Sequence, residues 1–298
     1  MAYFLQQIAN AVPVAALYAA LAFGYAIAFA VTRRADLTYG ALFAFAGQMF
    51  VLFADVGWNR LWLVLPASLG LGAAAALTFG LGAGLVAGRY VMRPLAFSSA
   101  NAVVVASLGT LLVLMETARL ASDTRSLWMP PFLNSVIVFW PDPQFPVTLT
   151  VIQLLNTALM AALVAGGHFL LTHSFIGRYW RAVSEDREAA ALCGVDPATV
   201  YIVAYGTASL VAAFCGILAA SYYGNMDFGT GLTFGVKVLF IAAIGGQTAP
   251  LLAALGAAGV GLLETLWSAY GPILWRDFAI FGFLVIVLVV TRREKVIP

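Results

Sequence analysis

Long apolar runs alternate with short polar breaks along the whole chain. Bounded by charges, prolines and glycines, the runs fall at 9–31, 37–53, 61–88, 101–120, 147–171, 200–223, 236–246, 251–270 and 278–290. About 20 apolar residues rising about 1.5 Å each cover the roughly 30 Å hydrocarbon core of a bilayer, so each long run predicts a spanning helix. The pattern predicts eight to nine spans. The short runs at 37 and 236 leave open whether they cross, re-enter or lie buried among neighbours. The first run is too long for a signal peptide and has no basic leader, and it reads as a retained first span.

Composition strengthens this reading. The 298 residues are 63% hydrophobic and 9% charged, against about 45–50% apolar and about 25% charged in a soluble domain. The fold class that follows is all-α: a polytopic integral membrane helix bundle forming a single transmembrane domain over 1–298, with no soluble domain. A net charge of +2 gives no support for a nucleic-acid partner, and two cysteines, Cys193 and Cys215, imply no disulfide framework.

Basic residues set the expected orientation. With the N-terminus outside, ten fall at inner span ends (Arg33, Arg34, Arg89, Arg93, Arg178, Arg181, Arg187, Arg292, Arg293, Lys295) and five at outer ends (Arg60, Arg119, Arg125, Lys237, Arg276). The excess predicts that the connection 172–199 and the C-terminus are cytoplasmic. The outer connection 121–146 is rich in Trp and Pro and suits the interface, as a cap on the outer mouth. Gly- and Ala-rich stretches at 70–88 and 254–264 predict close helix packing, which in lipid depends on small residues.

The most charged stretch is SEDREAAALCG, 184–194. Each charge placed at the bilayer centre costs roughly 2.5–3.5 kcal/mol, so this stretch lies outside the hydrocarbon. Its local signals describe a short helix. Ser184 is the expected N-cap, Glu185 and Asp186 suit the first turn, and Gly194 suits the left-handed position after the end. Asp196 and Pro197 then start the next helix. A helix of about ten residues is marginal alone in water, so its face of Ala189, Ala190, Leu192 and Cys193 needs a partner surface, in this chain or another.

EAAALCG, 188–194, resembles the EAA loop of bacterial ABC importer permeases. The wider run GRYWRAVSEDREAAALCGVD, 177–196, is similar to the LivH branch of the branched-chain amino-acid permease family. Further similar blocks are ALYAALAFGYAIAF and ADLTYGALF near the N-terminus, VVASLGTLLVLME at 104–116, and GVKVLFIAAIGG followed by GAAGVGLLETL. Tyr39 stands where the family has His, Ala41 where an acid often follows the glycine, and QTAP, 247–250, where a second glycine pair is usual. These differences bear on the solute rather than on the transport class.

The resemblance implies an ABC-importer permease of the bacterial inner membrane, in which Arg181, Glu185, Asp186, Arg187, Glu188, Ala189, Ala190, Leu192 and Gly194 dock an ATPase subunit. It further implies two ATPase subunits carrying ATP and Mg, a second related permease subunit (a homodimer being the alternative) and an external solute-binding protein. The chain itself carries no GxxxxGK[ST] loop, and its only lysines are Lys237 and Lys295. No cofactor, metal site or enzyme centre is expected in it; His168 and His173 read as interfacial.

Ionisable residues inside spans are candidates for a solute route, because each must face the bundle interior or water. Glu264 and Lys237 either pair across adjacent spans or line the route. Glu116 and Arg119, three apart, are expected to pair, and Asp36, Tyr39 and Asn101 are further route candidates near inner span ends. The competing function is an autonomous secondary transporter or channel, for which an ion-coupling relay and inverted repeats are the signature.

Overall fold

The computed structural model describes residues 2–95, 100–140, 146–246 and 248–291. Helices α1 (Ala2–Thr32), α2 (Thr38–Asn59) and α3 (Leu65–Val86) come first, α3 continuing through a π-helical turn (Ala87–Met92) into α4 (Arg93–Leu95). After α5 (Ala100–Ala121) a two-stranded antiparallel hairpin forms, β1 (Val136–Trp140) with β2 (Val147–Thr150). Then follow α6 (Val151–His173), α7 (Phe175–Glu185), α8 (Arg187–Leu192), α9 (Pro197–Tyr223), α10 (Thr230–Gly245), α11 (Pro250–Tyr270) and α12 (Arg276–Thr291). Among the described residues eight helical segments are long and apolar enough to cross a membrane. The chain is a polytopic helical membrane protein.

Two ends of the bundle can be told apart by what they carry. At one end the Gln6 side chain of α1 donates to the Thr148 carbonyl at 2.9 Å and accepts from the Thr148 N–H at 2.7 Å, tying β2 to the start of α1. Tyr3 stacks edge-on against Tyr270, and Met129 N–H donates to the Gly224 carbonyl, so α9 and α11 finish at this hairpin end. At the opposite end, α7 and α8 lie against the turn between α1 and α2, where the Arg33 guanidinium donates to the Ser184 carbonyl at 2.9 Å. Arg33, Arg34, Arg89, Arg93, Arg178, Arg181 and Arg187 gather at this α7–α8 end. Arg292, Arg293, Lys295 and Gln247 lie outside the described residues, as do Pro141 and Pro143.

Two expectations change. The run read as short at 37–53 extends into a 22-residue helix, α2, because Ala54 to Asn59 continue it past the apolar core of the pattern. The connection 121–146 is not merely a rigid cap: its second half enters a hairpin, whose β2 residues Val147 and Leu149 are buried while all of β1 is exposed. Cross-strand pairing satisfies backbone groups that proline-rich sequence alone does not announce.

The 16-residue α10 is shorter than the eight candidate spans and is not one of them. It leaves the hairpin end after α9 and reaches the end where α11 begins. The loop before it dips into the bundle, so Met226 packs on Gly47 in the middle of α2. Its 16 residues make about 24 Å of helix, less than the roughly 30 Å hydrocarbon core.

Helices α1, α2 and α9 form the buried centre, whereas α6 and α12 are mostly exposed on their outer faces. Backbones meet where glycine permits. A Cβ on Gly40 would stand 2.2 Å from Gly235 Cα, and one on Gly216 would stand 2.3 Å from the Phe43 carbonyl oxygen. Along α3 only one stripe is used: Gly72, Gly80 and Gly84 face α2 and α9, while Gly70 and Gly82 meet nothing within 4 Å. Gly216→Ala is therefore expected to cost about 1–3 kcal/mol through overpacking, and Gly82→Ala to be neutral. Thermal unfolding in detergent checks this, and equal melting temperatures for the two variants would refute the packing account.

Candidate functional site

The charged stretch forms two helices rather than one. Ser184 lies inside α7, and the N-cap is Asp186, whose Oδ1 accepts from the Glu188 and Ala189 N–H groups at 2.9 and 3.0 Å. Extended backbone at Asp186 (φ −143°) separates α7 from α8, and a cap at Ser184 is excluded because the helix begun at Phe175 is still running there. Gly194 takes φ +86°, the left-handed conformation that ends α8. Asp196 then caps α9 through the Ala198 and Thr199 N–H groups, and the Thr199 hydroxyl beside it holds its carboxyl below the usual range.

Helix α7 is the mount for α8. Its buried face carries Gly177, Trp180 and Val183, and the Trp180 indole N–H donates to the Ile27 carbonyl of α1 at 2.9 Å. Arg181 donates to the Leu171 and Thr172 carbonyls at the end of α6. Two spans and the α1–α2 turn therefore hold this amphipathic helix. Beyond it, Ala190 is the buried residue of α8, while Glu185, Asp186, Arg187, Glu188, Ala189 and Cys193 are exposed and Leu192 is 90% exposed. A large apolar side chain so presented is not covered by its own chain.

A second cluster lies inside the bundle. Lys237 of α10 and Glu264 of α11 are only 3% and 7% exposed, and Lys237 Nζ donates to Glu264 Oε1 at 2.9 Å. The other carboxylate oxygen accepts from the Tyr18 hydroxyl of α1 at 2.7 Å. Asp277 Oδ1 lies 3.3 Å from Lys237 Nζ, and Arg276 Nε lies 3.8 Å from Glu264 Oε1. Four elements meet at one alternating set of charges. An isolated charge at this depth is strongly disfavoured, and pairing with further hydrogen bonds is what makes its burial tolerable.

The same residues line a cavity of about 470 Å³. Its lining combines the charged side chains of Asp227, Lys237, Glu264, Arg276 and Asp277 with the apolar ones of Val14, Leu17, Phe43, Met226 and Phe234. Lys237 and Glu264 thus both pair and line a cavity. Toward the α7–α8 end the interior closes around Asp36, which accepts from Thr38 N–H at 2.8 Å and from the Tyr205 hydroxyl at 2.9 Å. Burial pushes the Asp36 carboxyl up, against the opposing pull of those hydrogen bonds. Tyr25, Tyr39 and Tyr205 leave only about 20 Å³ beside it, room for about one water.

Asn101 is exposed at the start of α5, and Glu116 pairs with Arg119 on the exposed face of that helix, so neither joins the cavity. His168 and His173 sit in the last turns of α6, and among the described residues no group of three or more His, Cys, Asp or Glu side chains is placed to hold a metal.

The family model described as branched-chain amino acid transport system, permease component, matches residues 7–289. The chain belongs to this permease family. The permease is 25% identical over 292 residues to the high-affinity branched-chain amino acid transport system permease protein LivH of Escherichia coli K12, covering 97% of this chain and 94% of that one. To the corresponding protein BraD of Pseudomonas aeruginosa it is 23% identical over 290 residues, covering 96% and 93%. Similarity to the autoinducer 2 import system permease protein LsrC of Escherichia coli is 26% over 281 residues, covering 89% and 73%. No solved structure matches.

Sequence reasoning named Lys237 and Glu264 but missed Tyr18, Asp227, Arg276 and Asp277. Their shared cavity joins positions up to 259 residues apart, from 18 to 277, which no local pattern links. A polar Tyr at the middle of an apolar α1 was the one available signal. Glu264→Gln is expected to destabilise the permease by on the order of 3 kcal/mol, since Lys237 then loses its closest counter-charge. The double variant Lys237→Met/Glu264→Leu is expected to recover most of that loss, and a double variant no more stable than the single one in thermal melting would contradict the pairing.

Proposed function

We propose that the permease is the membrane-spanning subunit of a binding-protein-dependent ABC importer for branched-chain amino acids or related small polar solutes. ATP and Mg belong to two partner ATPase subunits. Each receives one α8, so two permease subunits make the membrane unit, this one and a related second chain or a second copy. The basic cluster at the α7–α8 end makes that end cytoplasmic in the bacterial inner membrane. The hairpin end then faces the solute-binding protein, which delivers solute to the cavity beneath it.

The single observation that carries the reading is the exposed Leu192 on a helix whose mount is fixed to α1 and α6. Force applied at α8 is transmitted through Trp180 to Ile27 and through Arg33 to Ser184, so α1 moves with it. Because α1 also carries Tyr18 to Glu264, the same helix reaches the cavity. Closure of the nucleotide-bound ATPase pair would in this way alter the cavity at a distance from the docking surface.

Leu192→Glu is expected to abolish co-purification of an ATP-hydrolysing partner from native membranes with an unchanged melting temperature for the permease itself, and Gly194→Pro to abolish it by disrupting the end of α8, since proline cannot take φ +86° and loses the N–H that donates to the Ala191 carbonyl. ATP-dependent uptake of labelled leucine should fall with it. Retained partner and uptake in both variants, or solute uptake by the purified permease alone in vesicles, would overturn the reading in favour of an autonomous transporter.

A further inference from the structure

We infer that the cavity beneath the hairpin end is a selective waypoint for zwitterionic amino acids with apolar side chains, in which Arg276 takes the carboxylate and Asp227 the ammonium group. This rests on the solute-route reading above and adds the chemistry by which the route discriminates.

Charge accounting comes first. The cavity wall carries two cations, Lys237 and Arg276, and three carboxylates, Asp227, Glu264 and Asp277, so 2 − 3 leaves one excess negative charge. Lys237 is engaged by Glu264 and Asp277, and Glu264 is engaged on both oxygens by Lys237 and Tyr18. Those groups are structural. Arg276 is different: its Nε atom lies beside Asp277 and Glu264, and among the described residues its two Nη atoms make no hydrogen bond. A guanidinium presents a planar fork that matches a carboxylate.

Asp227 supplies the complementary end. Its Oδ2 accepts from Gly229 N–H at 3.0 Å, and among the described residues Oδ1 has no partner. Nearby hydroxyls add acceptors rather than donors, because Thr265 and Ser268 donate to the Gly261 and Glu264 carbonyls of their own helix. The site therefore attracts an ammonium group and opposes a free anion, while the unoccupied fork of Arg276 rewards a carboxylate attached to it. The lining also includes Leu17, Phe43, Met226 and Phe234, which offer an apolar side chain a surface away from water. A volume of about 470 Å³ falls within the roughly 300–1,000 Å³ typical of small-molecule sites.

The full-length permease in lipid nanodiscs, free of its partner subunits, is titrated with L-leucine, leucinamide and 4-methylpentanoate in competition with labelled leucine. Binding is expected in the order leucine, leucinamide, 4-methylpentanoate, with the acid at least about tenfold weaker than leucine. Arg276→Gln should erase the preference for leucine over leucinamide, and Asp227→Asn should erase the preference for leucine over 4-methylpentanoate. Arg276→Lys, which keeps the cation beside Glu264, should retain the leucine preference over the acid even if the Gln variant fails to fold. A preference for leucine over 4-methylpentanoate unchanged by Asp227→Asn, or no leucine binding up to about 10 mM, overturns the inference. In either case an intact ATPase partner leaves the importer reading standing; loss of partner docking would sink that reading alone.

Discussion

The close backbone contact of α2 with α9 and α10 is the constraint on which the rest of the structure depends. Lipid supplies no hydrophobic force between helices, so cohesion comes from packing, and the backbones of these helices come together where Gly216 meets the Phe43 carbonyl and Gly40 meets Gly235. Because those contacts hold α10 deep against α2, the loop before it is drawn down into the bundle. Lys237 is thereby brought to the depth of Glu264 and Tyr18. A larger residue at Gly40 would move the short helix outward and separate the charges.

The buried charges then divide into two roles. Lys237, Glu264, Tyr18 and Asp277 satisfy one another and join α1, α10, α11 and α12 at one point. This network is costly to leave half-made, which makes it a register mark for the four elements as much as a source of stability. Around it the cavity keeps charged groups with spare hydrogen-bonding capacity. At the opposite end the interior is closed by tyrosines around Asp36, so the single chain presents a cavity at the hairpin end and a seal at the α7–α8 end.

Helices α7 and α8 follow a different logic, that of a rigid mount with an exposed tip. Trp180 fills a buried site and donates its one N–H to α1, while Arg181 and Arg33 satisfy carbonyls at helix ends. Helix α8 itself is too short to be stable alone, and its Asp186 cap and the left-handed Gly194 define it. Since α1 runs from this mount past Tyr18 to the hairpin end, one continuous helix links the mount of α8 and the cavity. Rigidity in that link is what a mechanically driven transport cycle requires.

Sequence by itself determined the class of fold, the spans and the place of the charged stretch, because apolar length and charge cost are local quantities that the bilayer reads one segment at a time. It also named the Lys237–Glu264 and Glu116–Arg119 pairs, from single charges set in apolar runs. Tertiary structure alone decided that the first pair faces a cavity and the second lies on an outer surface, since the two look alike in one dimension. Only the folded chain shows the hairpin, the break at Asp186 and the convergence of Tyr18, Asp227, Arg276 and Asp277. Those features arise from pairing between distant segments, and the helix packing that sets their distances is held by glycine contacts whose partners the linear pattern does not name.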